Sequence, residues 1–226
     1  MTTAPTTRLR VDVWADVVCP WCYVGAARLT RAIDAMGLSG SVDLVPRAFE
    51  LDPTTPTTPQ PLLEHLAHKF GGLLSGSSAM AEQVRGMEER VRDLAVAEGL
   101  PFEVDRVTAN TRDAHRVTAL ATSHGLGMAY FEALQRAYFA GASTDPFGRA
   151  ALLATAGEVG LPGAEVERVL DSDEFADEVA RDQAQAAEIG VQGVPFVVVD
   201  GRYGVSGARE PEVYREVLSA GLDRAE

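Results

Sequence analysis

The sequence predicts an α/β protein, a small α/β domain whose two halves are separated by a large all-helical insertion. Three observations predict it. Residues 8–61 read as strand–helix–strand, residues 62–189 carry helical periodicity almost throughout, and residues 190–226 return to strand–strand–helix. A hairpin alone is marginal in water and must join a sheet. The outer pieces, 8–61 and 190–226, are therefore expected to pack together as one domain, with 62–189 as the insertion.

In the first piece, Leu9, Val11 and Val13 alternate with Arg10, Asp12 and Trp14, the period of a strand. Cys22, Ala26, Leu29, Ile33 and Met36 then recur at steps of four and three, which is one face of a helix, and Gly37 is placed to end it. Val42, Leu44 and Phe49 suit a second strand, bent near Pro46. Residues 52–61 hold four prolines and four threonines, which excludes helix and central strand and makes them a linker or rim loop. Met1 to Thr7 read as a loose tail.

In the insertion, Met80, Val84, Met87, Val91 and Leu94 form a helical stripe ended by Gly99 and Pro101, and the stripe is expected to be core. Further helices are expected over 111–124, 128–140, 146–157, 163–170 and 173–189. In the last piece, Phe196 to Val199 read as a strand. Asp200-Gly201 forms a tight turn needing positive φ, and Tyr203 and Val205 make the return strand. A final helix starts near Pro211 and buries Val213, Val217 and Leu218.

Composition narrows the function. The 226 residues are 46% hydrophobic and 23% charged, ordinary for a globular protein. The net charge of −13 comes from 20 basic and 33 acidic residues. It repels phosphate backbones and anionic lipid, so neither nucleic acid nor membrane is expected as a partner. No apolar run approaches the roughly 18 residues of a membrane span. Asp12 and Asp16 interrupt any apolar segment after Arg8 and Arg10, so the N-terminus does not read as a signal peptide and a cytoplasmic location is expected.

Only two cysteines are present, Cys19 and Cys22. A secreted disulfide scaffold would carry more, spread along the chain. The pair sits in Cys19-Pro20-Trp21-Cys22, where a strand ends and a helix begins. Pro20 suits the first helical position, where its missing N–H costs nothing. Cys19 is then the N-cap, and Cys22 the third helical residue. Unpaired amides and the helix dipole at this end favour negative charge on the Cys19 sulfur. Side chains three apart on a helix lie about 5–6 Å from each other, and a disulfide needs Cα atoms about 4.4–6.8 Å apart, so the pair can close. Cys19, expected to be exposed at the helix tip, would attack; Cys22, on the apolar face, would resolve the mixed disulfide. Two other readings stand beside this one. Buried cysteines can be unreactive structural thiols. A zinc site would need His65 and His68 to supply the missing ligands from beyond the Pro-rich segment; no metal is expected.

The Cys19–Tyr23 motif resembles the DsbA-like thioredoxin family, specifically its FrnE-type branch. The resemblance continues through Asn110-Thr111, Ala114-His115-Arg116, Ala137-Tyr138-Phe139, Gly190 to Phe196 and Val205 to Ala208, covering nearly the whole chain in order. It implies a thioredoxin-like fold with a large all-helical insertion, and a cis Pro195 beside the cysteine pair. The backbone of Val194 would then be free to pair with an extended substrate. Pro20, Trp21, Val194 and Pro195 are thus substrate-binding candidates, with Trp21 as a hydrophobic lip. Asn110 and His115 line the cleft between insertion and core, or else serve as a cap and a partly buried histidine. One departure stands out. Thioredoxin-like enzymes often carry a buried acid six residues before the first cysteine, where this chain has Val13. Asp12 and Asp16 are the nearest acids, and neither is assigned as the proton carrier for Cys22.

The expected function is disulfide exchange on protein or small-molecule thiols, as oxidase, reductase or isomerase. It needs no cofactor beyond the Cys19–Cys22 disulfide, with glutathione as a candidate co-substrate. No oligomeric state is assigned. Two other functions fit the same fold. One is a glutathione-dependent isomerase or transferase of the 2-hydroxychromene-2-carboxylate isomerase or kappa type, whose members typically place serine where Cys19 stands. The other is a non-catalytic binding or chaperone module.

Overall fold

The computed structural model describes residues 8–71 and 78–223. The expected tail at Met1 to Thr7 lies outside them. In chain order the elements are β1 (Leu9–Ala15), α1 (Pro20–Ala35), β2 (Val42–Ala48), β3 (Gln60–Pro61), α2 (Leu62–Gly71), α3 (Ser78–Ala97), β4 (Val107–Thr108), α4 (Arg112–Ser123), α5 (Gly127–Phe139), α6 (Arg149–Glu158), α7 (Gly163–Leu170), α8 (Ala176–Glu188), β5 (Phe196–Val199), β6 (Tyr203–Ser206) and α9 (Pro211–Leu222).

The first and last pieces meet in one four-stranded sheet of order β2-β1-β5-β6. β1 runs parallel to β2, with Val13 opposite Pro46. It runs antiparallel to β5, with the same Val13 opposite Val197. Pro46 is tolerated inside β2 because β2 is an edge strand. Asp200 and Gly201 both hold positive φ, 53° and 66°, as a tight turn between β5 and β6 requires. The main core takes Val11 and Val13 from β1, Leu29 and Ile33 from α1, Val197 and Val199 from β5, and Leu218 from α9.

The other face of β1 is also covered, which period two alone did not imply. Trp14 is buried with Ala186 and Val191, and its indole N–H donates to the Asp182 carbonyl at 3.0 Å. Asp12, on that same face, is buried as well; it accepts from Arg47 Nε at 2.7 Å and Arg10 Nε at 3.1 Å. Polar residues alternating along a strand can be paired under a second layer as well as solvated.

The stripe on α3 differs from expectation. Val84, Glu88, Val91 and Ala95 are buried, while Met87 and Leu94 are exposed. Val84 and Val91 are buried as expected, but Glu88 and Ala95 take the core-facing places next to Met87 and Leu94, with Glu88 held by Arg106 at 2.9 Å. A row chosen by apolar residue type skips a charge that has found its partner. The two-residue strands β3 and β4 pair with each other and tie the Pro-rich segment to α2 and the loop after α3.

Candidate active site

The Cys-Pro-Trp-Cys motif opens α1 as the residue types dictate. Cys19 is the N-cap with extended backbone, Pro20 fills the first helical turn, and the Cys22 N–H donates to Cys19 Sγ at 3.4 Å. This is an N-cap in which sulfur stands where oxygen usually does. The Cys19 thiol also reaches the Val194 carbonyl at 3.6 Å. The Val194–Pro195 bond is cis, and its loop lies against α1. The structure thus brings Cys19, Cys22, Pro20, Trp21, Val194 and Pro195 together.

Cys19 is only 3% exposed, not the open tip expected from its N-cap position. It borders a cavity of about 470 Å³ that also reaches Asp16, Val194, Leu62 and His65 of α2, and Val84 and Glu88 of α3. Residues of the insertion thus line the same cavity as the helix tip, and the Val194 carbonyl lies against the sulfur. Four exposed apolar side chains, Trp21, Leu51, Phe70 and Met87, border the same cavity. Its cations are paired. Lys69 Nζ meets Asp52 at 2.9 Å, and Arg106 meets Glu88 at 2.9 Å. The Arg106 guanidinium also stacks over Phe102, Tyr138 and Phe139 at 4.7, 5.1 and 4.7 Å. The Asp52 carboxyl is held at about 2, chiefly by the Thr54 hydroxyl and then by Lys69. Burial lowers the His65 imidazole from its ordinary value.

Cys22 lies behind Cys19, 1% exposed. Burial pushes its thiol well above the ordinary 9.0, and the hydrogen bond with Cys19 pushes the same way. The two cysteines are free thiols in this structure. Behind them sits Asp16, 1% exposed, which the sequence offered only as a nearby acid. Its Oδ2 accepts the Leu51 N–H at 2.8 Å, its Oδ1 lies 3.2 Å from His115 Nε2, and its carbonyl accepts the Cys19 N–H at 3.2 Å.

The other two candidates stand elsewhere. His115 is buried behind Asp16 and is not on the cavity wall. Asn110 pins the Pro-rich segment. Its amide donates to the Pro53 and Thr55 carbonyls at 3.2 and 3.1 Å, and its Oδ1 accepts the Arg112 N–H at 2.9 Å. His65 borders the Cys19 cavity, and His68 does not. Among the described residues no group of three or more His, Cys, Asp and Glu is placed to hold a metal ion, and no helix is long and apolar enough to cross a membrane.

Comparison with known proteins agrees with this geometry. A family model described as the DSBA-like thioredoxin domain matches residues 10–219. No curated protein matches. Among solved structures, a probable DsbA oxidoreductase from Streptomyces coelicolor is 38% identical, with TM-score 0.85 over 96% of this chain and 91% of that one. The cytosolic disulfide reductase DsbM from Pseudomonas aeruginosa, also solved with glutathione, is 22% identical with TM-score 0.65 over 95% and 99%. A 2-hydroxychromene-2-carboxylate isomerase is 17% identical with TM-score 0.62 over 95% of each chain. At that identity the last two share the fold alone.

Proposed function

Because the chain belongs to the DSBA-like thioredoxin domain family, we propose that it exchanges disulfides with protein thiols, Cys19 attacking and Cys22 resolving. The family match sets the class; the observation that carries the residue roles is the sulfur N-cap. Cys19 Sγ receives a helix-terminal N–H at 3.4 Å and borders the cavity, with Cys22 buried behind it. A hydrogen-bond donor aimed at that sulfur stabilises the charge it carries as a nucleophile and as a leaving group.

In the reductive direction the steps balance as follows. The Cys19 thiolate attacks one sulfur of a substrate disulfide, and the other sulfur leaves as a thiolate. Cys22 then loses its proton and attacks Cys19 Sγ. The bond between Cys19 and substrate breaks, and the second substrate sulfur leaves. Two electrons have passed to the substrate, and the Cys19–Cys22 disulfide awaits an external dithiol. Run backwards, the same steps oxidise a substrate dithiol.

The cavity favours a polypeptide cysteine with apolar neighbours over glutathione. Trp21, Leu51, Phe70 and Met87 offer exposed apolar surface beside Cys19. Glutathione brings two carboxylates, whereas the bordering cations Lys69 and Arg106 already hold carboxylates of their own. Val194, whose carbonyl faces Cys19, supplies backbone beside which an extended segment can lie.

The test is dithiothreitol-driven reduction of insulin, run beside reduction of glutathione disulfide. The expected result is insulin reduction that disappears in Cys19→Ser, a covalent insulin adduct retained by Cys22→Ser, and weaker turnover of the glutathione substrate. A glutathione-dependent isomerase activity that survives Cys22→Ser would overturn this reading in favour of the isomerase class. Substrate binding untouched by replacing both cysteines, with no reductase activity to lose, would favour a binding module.

A further inference from the structure

Exchange at Cys19 moves protons as well as electrons. A thiol that attacks the Cys19–Cys22 disulfide must lose its S–H proton, because the thiolate is the nucleophile. An ordinary thiol is mostly protonated near pH 7. A base on the cavity wall therefore speeds the attack, and Pro20 and Trp21, between the cysteines, offer none.

One titratable side chain on that wall stands unengaged. Asp52 is bound to Lys69, and at about 2 its carboxyl is too weak a base to hold a proton near neutrality. Glu88 is bound to Arg106. Asp16 is 1% exposed and held by Leu51 N–H and His115. His65 differs. Among the described residues no hydrogen bond or ion pair engages its imidazole, although it borders the same cavity as Cys19.

The geometry of α2 sets the depth of His65. Leu62, His65, Leu66, Lys69 and Phe70 border the cavity at the three-four spacing of one helix face. Leu62 is 5% exposed and Phe70 is 57% exposed, so this face runs from the buried end of the cavity to its open end. His65 lies half-buried between them, one turn from Leu62. A sulfur that reaches Cys19, itself buried, comes in past that level.

The surroundings keep this imidazole neutral near pH 7. Burial lowers it first, and Lys69 and the exposed His68 on the same helix act the same way, while Asp52 from the Pro-rich segment opposes them. Asp16, Glu88 and Arg106 face the cavity from the other elements, each already paired. A neutral imidazole without a partner is free to accept a proton.

We propose that His65, from the helical insertion, is the catalytic base that takes the proton from the thiol attacking the Cys19–Cys22 disulfide. This rests on the disulfide-exchange reading above. The S–H proton of the incoming thiol moves to the imidazole, and the sulfur's electron pair forms the bond to Cys19 Sγ. The Cys19–Cys22 bond breaks, and Cys22 leaves with its electron pair. The imidazolium then gives its proton to solvent at the open end of the cavity. The incoming thiol is a substrate thiol in the oxidative direction and the external dithiol in the reductive one. In reverse, the imidazolium protonates the substrate sulfur as Cys22 displaces it from Cys19.

Dithiothreitol and tris(2-carboxyethyl)phosphine separate this role from a structural one, because both reduce the disulfide but the phosphine has no S–H proton to lose. Full-length protein is first oxidised to the Cys19–Cys22 disulfide, and its reduction is followed by acid quench, alkylation and mass spectrometry. His65→Gln, unable to take a proton near neutrality, should slow dithiothreitol on the order of tenfold at pH 7, since the ionised fraction of the reagent still reacts unaided. The phosphine rate should stay at the native value. With dithiothreitol the rate of the variant should climb about tenfold per pH unit around neutrality, following the thiolate fraction, and the native rate less steeply. His68→Gln, on the same helix but off the cavity, should match the native chain with both reagents. A dithiothreitol rate unchanged in His65→Gln, or both reagents slowed alike, would overturn the proposal. A native chain in which no Cys19–Cys22 disulfide forms would instead overturn the exchange reading beneath it, so the two failures are distinguishable.

Discussion

Gly25 and Pro195 approach so closely that a side chain at residue 25 has no room: a Cβ placed there would stand 2.9 Å from Pro195 Cγ. Gly25 lies on α1 one turn beyond Cys22, and Pro195 follows the carbonyl that faces Cys19. The absence of a side chain at residue 25 therefore sets how near the Val194–Pro195 loop comes to the cysteines. Gly25→Ala is expected to shift that loop, lowering stability by about 1–3 kcal/mol from overpacking. It should also slow attack by Cys19. Gly157→Ala, in α6 with open space around the added methyl, should instead gain up to about 1 kcal/mol from helix propensity. Urea unfolding of both variants checks the contrast.

Glu88 and Arg106 form a buried ion pair under the cavity, and Arg106 is further covered by three rings. Arg106→Leu leaves a buried carboxylate without its partner and should cost about 3–5 kcal/mol. Replacing both members by leucine should cost markedly less than the single change. A double-mutant cycle by urea denaturation measures this. Arg106→Lys should not restore full stability, since an ammonium loses the planar stacking.

The buried Cys22 thiol makes the reduced protein sensitive to alkali. The folded chain holds that proton more tightly than the unfolded chain. Its contribution to stability is therefore fully present below the ordinary thiol value of 9.0 and is lost as pH rises through the higher folded value. Between the two values reduced native protein should lose about 1.4 kcal/mol per pH unit relative to Cys22→Ala. The buried Tyr23, pushed up to about 12, adds its own loss at still higher pH and is common to both proteins. Urea midpoints at pH 8 and pH 10, compared between the two, test the difference.

The cavity border predicts substrate choice. Trp21→Ala and Phe70→Ala remove exposed apolar surface beside Cys19. They should raise KM for peptide disulfides with bulky apolar neighbours and leave glutathione disulfide nearly unaffected. Steady-state kinetics with a peptide series that varies only the residue next to cysteine separates these outcomes.

Much of this was legible in the chain because its signals were local. Cys19-Pro20-Trp21-Cys22 reads as a helix start within four residues, and Asp200-Gly201 reads as a hairpin within two; the structure has both. The hidden parts depend on residues far apart. Asp16 and His115 are 99 positions from each other, and nothing in either neighbourhood announces the pair. Cys19 shares its cavity with residues of α2 and α3, whose placement opposite the helix tip no periodicity encodes. The burial of Glu88 depends on Arg106, which lies 18 residues on and outside the helical stripe. His115 and Asn110 carry polar side chains that proved to hold Asp16 and the Pro-rich loop, and neither borders the Cys19 cavity.

The most direct test of the central claim is the equilibrium between this chain and glutathione buffers of graded redox ratio, quenched by acid and read by mass spectrometry. The account predicts one reversible two-electron transition from dithiol to intramolecular Cys19–Cys22 disulfide, absent in Cys22→Ser, which should collect a single glutathione adduct on Cys19. Two cysteines that remain thiols at every ratio, or that take up glutathione independently without bonding to each other, would contradict it.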